Sequence, residues 1–323
     1  MAMDGVDSVL ERIVTSAPYS LTTGDFDHAE LLNALLNIDV LQIKDDHLGI
    51  AVPFFLSRDA DVLKELSKKV ANIIAAELLA RKERIADIIS RIDNGFPAER
   101  NLYHILCAYI FDGLMFDYLD ENELVTTSRI HNSGLDYLVI LYEDSALLNE
   151  YSDMLLCSYN RLTVNGKGFV SFGDSNGNRN DFYRYNRQRE LNLLSERERQ
   201  YMTYPTEVLI DKFDRMARGE DIERSYVEVF ERFGYCKDGK IVVPVYNTRS
   251  YDIADELYRF IVGIVKEPMG NALALLQRET RLSAIAHGVD VRDIANEIYH
   301  LIFGETNEIL VRSGLVSPPP YYP

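Results

Sequence analysis

The sequence predicts a mainly α chain with small β elements, an α+β protein in which two copies of one module are separated by a dissimilar insert. Three observations carry this expectation. The segment LGIAVPFFLSRDADVLKEL (48–66) lies over GKIVVPVYNTRSYDIADEL (239–257) without a gap, so that Ile50, Val52, Pro53, Arg58, Asp61, Glu65 and Leu66 recur as Ile241, Val243, Pro244, Arg249, Asp252, Glu256 and Leu257 at an offset of 191. The correspondence continues downstream at offsets of 191 to 193, where Gly95 pairs with Gly288, Ile110-Phe111 with Ile302-Phe303, and Leu124-Val125 with Leu315-Val316. Apolar residues recur at helical spacing over most of each copy, and only short stretches look like strands. A period this long denotes two copies of a small domain rather than a solenoid of short repeats.

Each copy opens with a helix, marked by Val9, Leu10, Ile13 and Val14 in the first and by Val208, Leu209, Phe213 and Met216 in the second. A second helix carries Leu31, Leu32, Leu35 and Leu36, or Tyr226, Val229, Phe230 and Phe233. A hairpin follows: VLQIK turns at Asp45-Asp46 into LGIAV, and YCK turns at Asp238-Gly239 into KIVVPVY. Asp-Gly between β-forming residues suits a tight turn, because glycine accepts the positive φ that such a turn requires. Residues 59–92 then read as one long amphipathic helix ended by Gly95 and Pro97, its stripe built from Leu63, Leu66, Val70, Ile73, Ile74, Leu78, Ile85, Ile88, Ile89 and Ile92. That stripe needs a partner, either the other copy or a second chain in a homodimer. The matching helix from about Tyr251 should kink at Pro268, which removes a backbone donor. A further helix is expected near 99–118 and near 291–311.

Helix, helix and a two-stranded wing resemble a winged-helix module, over about 40 residues of each copy and without a sequence motif. The pattern departs from the usual one in leaving little room for the short helix that normally precedes the recognition helix. The resemblance implies tandem winged-helix-like repeats, which with their long helices span 1–126 and 197–317; the unduplicated segment between them is an α/β insert over 127–196, and PPPYYP over 318–323 is expected to be an extended, mobile Pro/Tyr tail. Within the insert, DYLVILYE (136–143) reads as a buried strand, 145–157 as helical, and RLTVNGKGFVSFG as a hairpin turning at Asn165-Gly166.

Composition narrows the function. A charged fraction of 26% beside 47% hydrophobic residues is that of a soluble globular protein. MAMDGVDSV has no basic region or apolar run, so no secretory leader is expected, and no stretch reaches the roughly 18 apolar residues of a membrane span. Cys107, Cys157 and Cys236, widely spaced and odd in number, suit reduced thiols of a cytoplasmic protein. The net charge of −17 sets the surface against polyanions. In copy one no Lys or Arg occurs from Ile13 through Ile43, so its second helix would meet phosphates with like charge; in copy two Lys212, Arg215, Arg218, Arg224 and Arg232 face eight carboxylates between Thr206 and Cys236. The insert is the opposite. Arg161, Lys167, Arg179, Arg184, Arg187 and Arg189, interleaved with Tyr183 and Tyr185, form a candidate surface for nucleic acid or another anionic partner, or a dock for the acidic repeats.

Other constellations are weaker. GDSNGNRND spaces Asp174, Asn176 and Asn178 as some calcium loops do, but Arg179 and Tyr185 stand where Gly and Glu are needed, and turn chemistry explains the loop. Asp112, Asp117, Asp120, Glu121 and Glu123 read as a solvated helix end, and His104 and His300 as satisfied, half-buried histidines. Pro319-Pro320-Tyr321-Tyr322 fits a PPxY docking motif, with a plain chain end as the default. No GxSxG, HExxH, GxGxxG or zinc spacing is found, so no catalytic residue, cofactor or metal is assigned. The reading is a non-enzymatic regulatory or scaffolding protein that binds another macromolecule, with a protein as its partner. Two alternatives stand beside it: a DNA-binding transcriptional regulator using repeat 2 and the basic insert, and an enzyme or small-ligand sensor with a site between repeats and insert.

Overall fold

The computed structural model describes residues 4–130, 134, 138–149, 160–164, 166–171, 196, 206–232 and 235–318. The chain is mainly helical with small sheets, as the sequence predicts. It divides into two compact units, one of Met1–Val70, Asp117–Glu150 and Met269–Tyr299, the other of Ala71–Phe116, Tyr151–Pro268 and His300–Pro323.

Unit 1 begins with α1 (Val6–Thr15), whose Val9, Ile13 and Val14 are buried while Asp7 and Glu11 stay in water. The short β1 (Leu21–Thr22) and a 3₁₀ turn closed by the Asp25 carboxylate lead to α2 (Ala29–Asn37), which buries Leu31, Leu32 and Leu35. Antiparallel β2 (Leu41–Lys44) and β3 (His47–Ile50) form the hairpin, with Lys44 opposite His47, and β1 adds to β3 to give the order β1-β3-β2. Asp45 and Asp46 sit at φ 51° and 65°, the two left-handed positions that a right-twisted two-residue hairpin demands. After Pro53, β4 (Phe54–Phe55) enters the core.

The helix expected over 59–92 is two helices, α3 (Ala60–Ala80) and α4 (Lys82–Ser90). The cause is local. Arg81 donates its backbone N–H to Leu78 O rather than to Glu77 O, and its guanidinium bonds Glu77 O instead, at 3.0 Å. A side chain inserted into the helical ladder breaks it. Most of the predicted stripe is buried, but Leu66 is half-buried and Ile73 is 46% exposed. The next expected helix is composite: α5 (Ala98–Leu102), a π-helical stretch over Tyr103–Leu114, and α6 (Met115–Glu121). His104, in the π-helical stretch, is fully buried rather than half-buried.

The insert departs further from expectation. Of DYLVILYE, only β5 (Leu141–Tyr142) is a strand among the described residues, and it is half-exposed rather than buried, because it pairs with β4 alone, in parallel. Of 145–157, α7 (Ala146–Asn149) is helical and 150–157 lie outside the described residues. The predicted hairpin is present as β6 (Asn160–Val164) and β7 (Lys167–Ser171), with Val164 opposite Lys167 and Gly166 at φ 72°.

Unit 2 contains α8 (Thr206–Ala217), α9 (Arg224–Arg232) and the hairpin of β8 (Cys236–Lys237) and β9 (Lys240–Ile241), which turns through Asp238 at φ 50° and Gly239 at φ 70°. Its core is aromatic: Phe213 stacks on Phe230 at 4.6 Å and meets Tyr235 edge-on at 5.3 Å. Burial beside Glu231 pushes the Cys236 thiol up to about 12, consistent with an inert structural cysteine. β10 (Tyr246–Asn247) pairs with β7, giving the order β10-β7-β6. Thereafter come α10 (Thr248–Leu276), which continues through Pro268, α11 (Ser283–Ala286) and α12 (Val291–Arg312).

Matching bonds recur along the chain. Ala51 N bonds Val40 O at 2.9 Å and Val242 N bonds Tyr235 O at 3.0 Å; Leu124 N bonds Leu119 O and Leu315 N bonds Leu310 O. Other pairs are crosswise. In unit 1 Thr126 N bonds Arg292 O at 3.1 Å, and in unit 2 Ser317 N bonds Glu99 O at 3.0 Å. Glu65 meets Arg281 in unit 1, and its sequence counterpart Glu256 meets Arg91 in unit 2. Each unit therefore joins the hairpin region of one stretch to the helical region of the other.

Gly49 on β3 is held where an added Cβ would lie 2.4 Å from the Tyr19 ring. Gly49→Ala is expected to destabilise the protein by about 1–3 kcal/mol, the usual cost of overpacking. Adding Tyr19→Ala should recover much of that loss, a non-additivity readable in denaturant melts.

Candidate functional site

In unit 1 a groove of about 680 Å³ lies between α1, β4 and β5. Its floor follows from two sequence features. Leu10 and Val14 are four apart on α1 and share a face; the apolar run Phe54-Phe55-Leu56 supplies the opposite wall, closed by Leu141. Phe54 and Phe55 are almost fully buried, worth roughly 1.5–3 kcal/mol each in transfer free energy. The Phe55 and Tyr142 rings lie 5.2 Å apart, and Tyr142 donates its hydroxyl proton to Glu297 at 2.5 Å, which fixes β5 in place.

The rim is acidic. Among the described residues, Asp7, Glu11, Glu143 and Asp144 line the groove against the single cation Arg58. Glu143 accepts the Ser57 N–H at 2.6 Å; among the described residues no cation pairs with Asp7 or Glu11. Arg58 is held from behind. Its Nε donates to Ser283 Oγ at 2.8 Å, and Ser283 donates from both Oγ (2.9 Å) and N (3.0 Å) to Oδ1 of the buried Asp59. Asp59 Oδ2 accepts the Leu56 N–H at 2.8 Å, so both oxygens are satisfied inside the protein, as burial of a carboxylate requires. His287 stands behind Phe54, edge to face at 5.2 Å and 5% exposed. Burial, then the nearby Arg58, hold its pKa below the usual imidazole value, against a hydrogen bond with the Val14 backbone that raises it.

Unit 2 has a second groove, of about 830 Å³, lined by residues at corresponding positions, Val245, Tyr246 and Asn247, together with the end of α8. Its charges cancel. Asp214 takes Lys167 Nζ at 2.6 Å and Arg218 at 3.2 Å, and Glu220 takes Arg215 and Arg218. Arg100, buried beside Tyr103 and Tyr246 in the same unit, is lowered to about 10 by desolvation and donates to Ser317 O.

Of the residues singled out from the sequence, Lys167 lies in this groove, half-buried against Asp214, and Arg161 is on β6. Arg179, Tyr183, Arg184, Tyr185, Arg187 and Arg189 lie outside the described residues, as do the loop of Asp174, Asn176 and Asn178 and the Pro/Tyr tail beyond Pro318. Asp117, Asp120, Glu121 and Glu123 are exposed at the end of α6, as a solvated helix end should be, whereas Asp112 is half-buried in the π-helical stretch. Among the described residues no three His, Cys, Asp or Glu side chains converge as a metal would require, and no helix is long and apolar enough to cross a membrane. The sequence reasoning missed the groove of unit 1. Its one visible signal was the doubled aromatic Phe54-Phe55 beside a charged helix face; the parallel pairing that brings β5 to it leaves no local mark.

Comparison with protein-family models, with curated proteins and with solved structures returned no match. The functional reading therefore rests on the geometry of the chain itself.

The His287 shift has a signed consequence. The folded state keeps this imidazole neutral while the unfolded chain protonates it near the ordinary value of 6.5. Its contribution to stability is complete above that pH and is lost as the pH falls below it. Thermal melts should show a lower Tm at pH 5.5 than at pH 7.5, and His287→Asn should flatten that part of the profile.

Proposed function

We propose that this chain is a non-enzymatic regulatory or scaffolding protein, built from tandem winged-helix-like repeats, that holds a cationic, apolar-anchored segment of another protein in the groove of unit 1. The observation that carries this reading is the pairing of an apolar floor with a rim of four carboxylates against one arginine. Such a rim lowers the energy of an approaching Lys or Arg side chain, and the floor gives an apolar residue a place to leave water. Matched helix, helix and hairpin elements, with corresponding backbone bonds at Ala51 and Val242, support the repeat reading. In unit 1 the strand β1 added to the hairpin is a further likeness to a winged-helix sheet.

The helix that would read DNA in such a module speaks against nucleic acid here. α2 turns Glu30, Asn33 and Asn37 to solvent, and no Lys or Arg lies between Ile13 and Ile43. Phosphate contacts from Lys and Arg supply most non-specific DNA affinity, and this face has none to give.

A synthetic peptide with lysines flanking a central leucine is the test ligand, followed by fluorescence anisotropy. It should bind saturably, with affinity falling as salt rises. Asp7→Asn with Glu11→Gln should weaken it roughly five-fold, since each exposed pair contributes about 0.2–1 kcal/mol. Leu10→Asp should weaken it by at least about ten-fold, by charging the apolar seat. Neutralising Glu30 and Asp39, away from the groove lining, should change little. A duplex of about 20 base pairs should not bind even at low salt. Equal losses from both sets of acidic substitutions, or tight duplex binding, would remove this reading.

A further inference from the structure

A net charge of −17 repels anions, so cations left without carboxylate partners in a hollow must be explained locally. Unit 2 has such a place, a shallow cavity of about 530 Å³ between α4 and α10. On α10, Glu256, Arg259, Phe260 and Gly263 are three or four apart and share a face. On the other wall, Arg81 and Arg84, three apart, line the cavity at the start of α4.

Their partners differ. Arg81 is engaged by Glu77, and the one carboxylate in the lining, Glu256, is engaged by Arg91 at 2.5 Å. Arg84 places its guanidinium 4.7 Å from the centroid of the Phe260 ring. Among the described residues no carboxylate pairs with Arg84 or Arg259, and both are exposed. Gly263 leaves open space: a Cβ there would meet nothing within 4 Å.

We propose that this cavity binds a nucleoside phosphate. The forked guanidinium groups of Arg84 and Arg259 match the oxygens of a phosphoryl group, which each can grip bidentately. A flat base finds a cationic plane and a phenyl ring, the two surfaces on which bases stack. The opening at Gly263 admits it. The volume lies within the range of about 300–1,000 Å³ usual for small-molecule sites and is far larger than a lone phosphate needs. The global charge selects for size as well: repulsion grows with ligand charge, so a mononucleotide is tolerated where a polyanion is turned away. The site belongs to unit 2 and does not depend on the groove of unit 1 binding a peptide.

The experiment is isothermal titration calorimetry on the full chain with adenosine 5′-monophosphate, adenosine and inorganic phosphate. The monophosphate should bind saturably, and each of the other two at least about ten-fold more weakly, since each offers half of the recognised chemistry. Arg84→Ala with Arg259→Ala should weaken the monophosphate by at least about ten-fold, the loss of two charge-assisted contacts. Arg259→Gln alone, at an exposed helical position that folding does not need, should weaken it about three-fold. Glu256→Gln should strengthen it, by removing the only negative group in the lining. Absence of monophosphate binding at millimolar concentration overturns the proposal, as does binding that survives the double substitution. Adenosine or phosphate binding as tightly as the monophosphate overturns the assignment of the ligand.

Discussion

The buried carboxylate of Asp59 is the constraint on which unit 1 depends. Its two oxygens collect the Leu56 N–H and both donors of Ser283, residues far apart in the chain. That fixes the entry to α3, anchors α11 against β4, and through Ser283 Oγ holds the Arg58 guanidinium at the groove. An ionised group in the interior is tolerated only when its lone pairs are used this fully. At the corresponding position in unit 2 the same entry is closed by neutral groups. Asn247 N donates to Ser250 Oγ, and Asn247 Oδ1 accepts from Ser250 N. One half binds its helix start with an ion, the other with an amide and a hydroxyl.

That divergence parallels a difference in the two grooves. In unit 2, Lys167 and Arg218 meet Asp214 and Arg215 meets Glu220, so much of the charge is spent internally. In unit 1 the acids on the exposed face of α1 have no such neighbours among the described residues, and the floor is more apolar. Internally paired charge lends register to a fold but has little left for a ligand. Uncompensated charge around apolar surface costs some stability and leaves attraction to offer outside.

Much of the fold was legible because it is local. The paired helices, the turns at Asp45-Asp46 and Asp238-Gly239 and the stripe of isoleucines and leucines follow from residue type and spacing. What escaped depended on contacts the sequence does not advertise. The break at Arg81 needed a guanidinium to take over the Glu77 carbonyl, and nothing in the helical period announces that. DYLVILYE read as buried because it is apolar, yet among its described residues only Leu141 and Tyr142 pair, at an edge beside Phe54 and Phe55. The unit 1 groove was hidden for the same reason: α1, β4 and β5 come together only in three dimensions. Arg84 and Arg259 went unnoticed because each sits among carboxylates in sequence, and only the structure shows which of those are already engaged.

The crosswise bonds of Thr126 to Arg292 and of Ser317 to Glu99 have an evolutionary corollary. Neither compact body corresponds to a contiguous stretch of gene, since each needs polypeptide from before and after the central insert. A nonsense mutation midway would leave no intact half, and recombination could not shuffle one body into another protein by a single exchange. Interleaving of this kind locks the two halves into shared inheritance, so that drift in one is felt by selection on both.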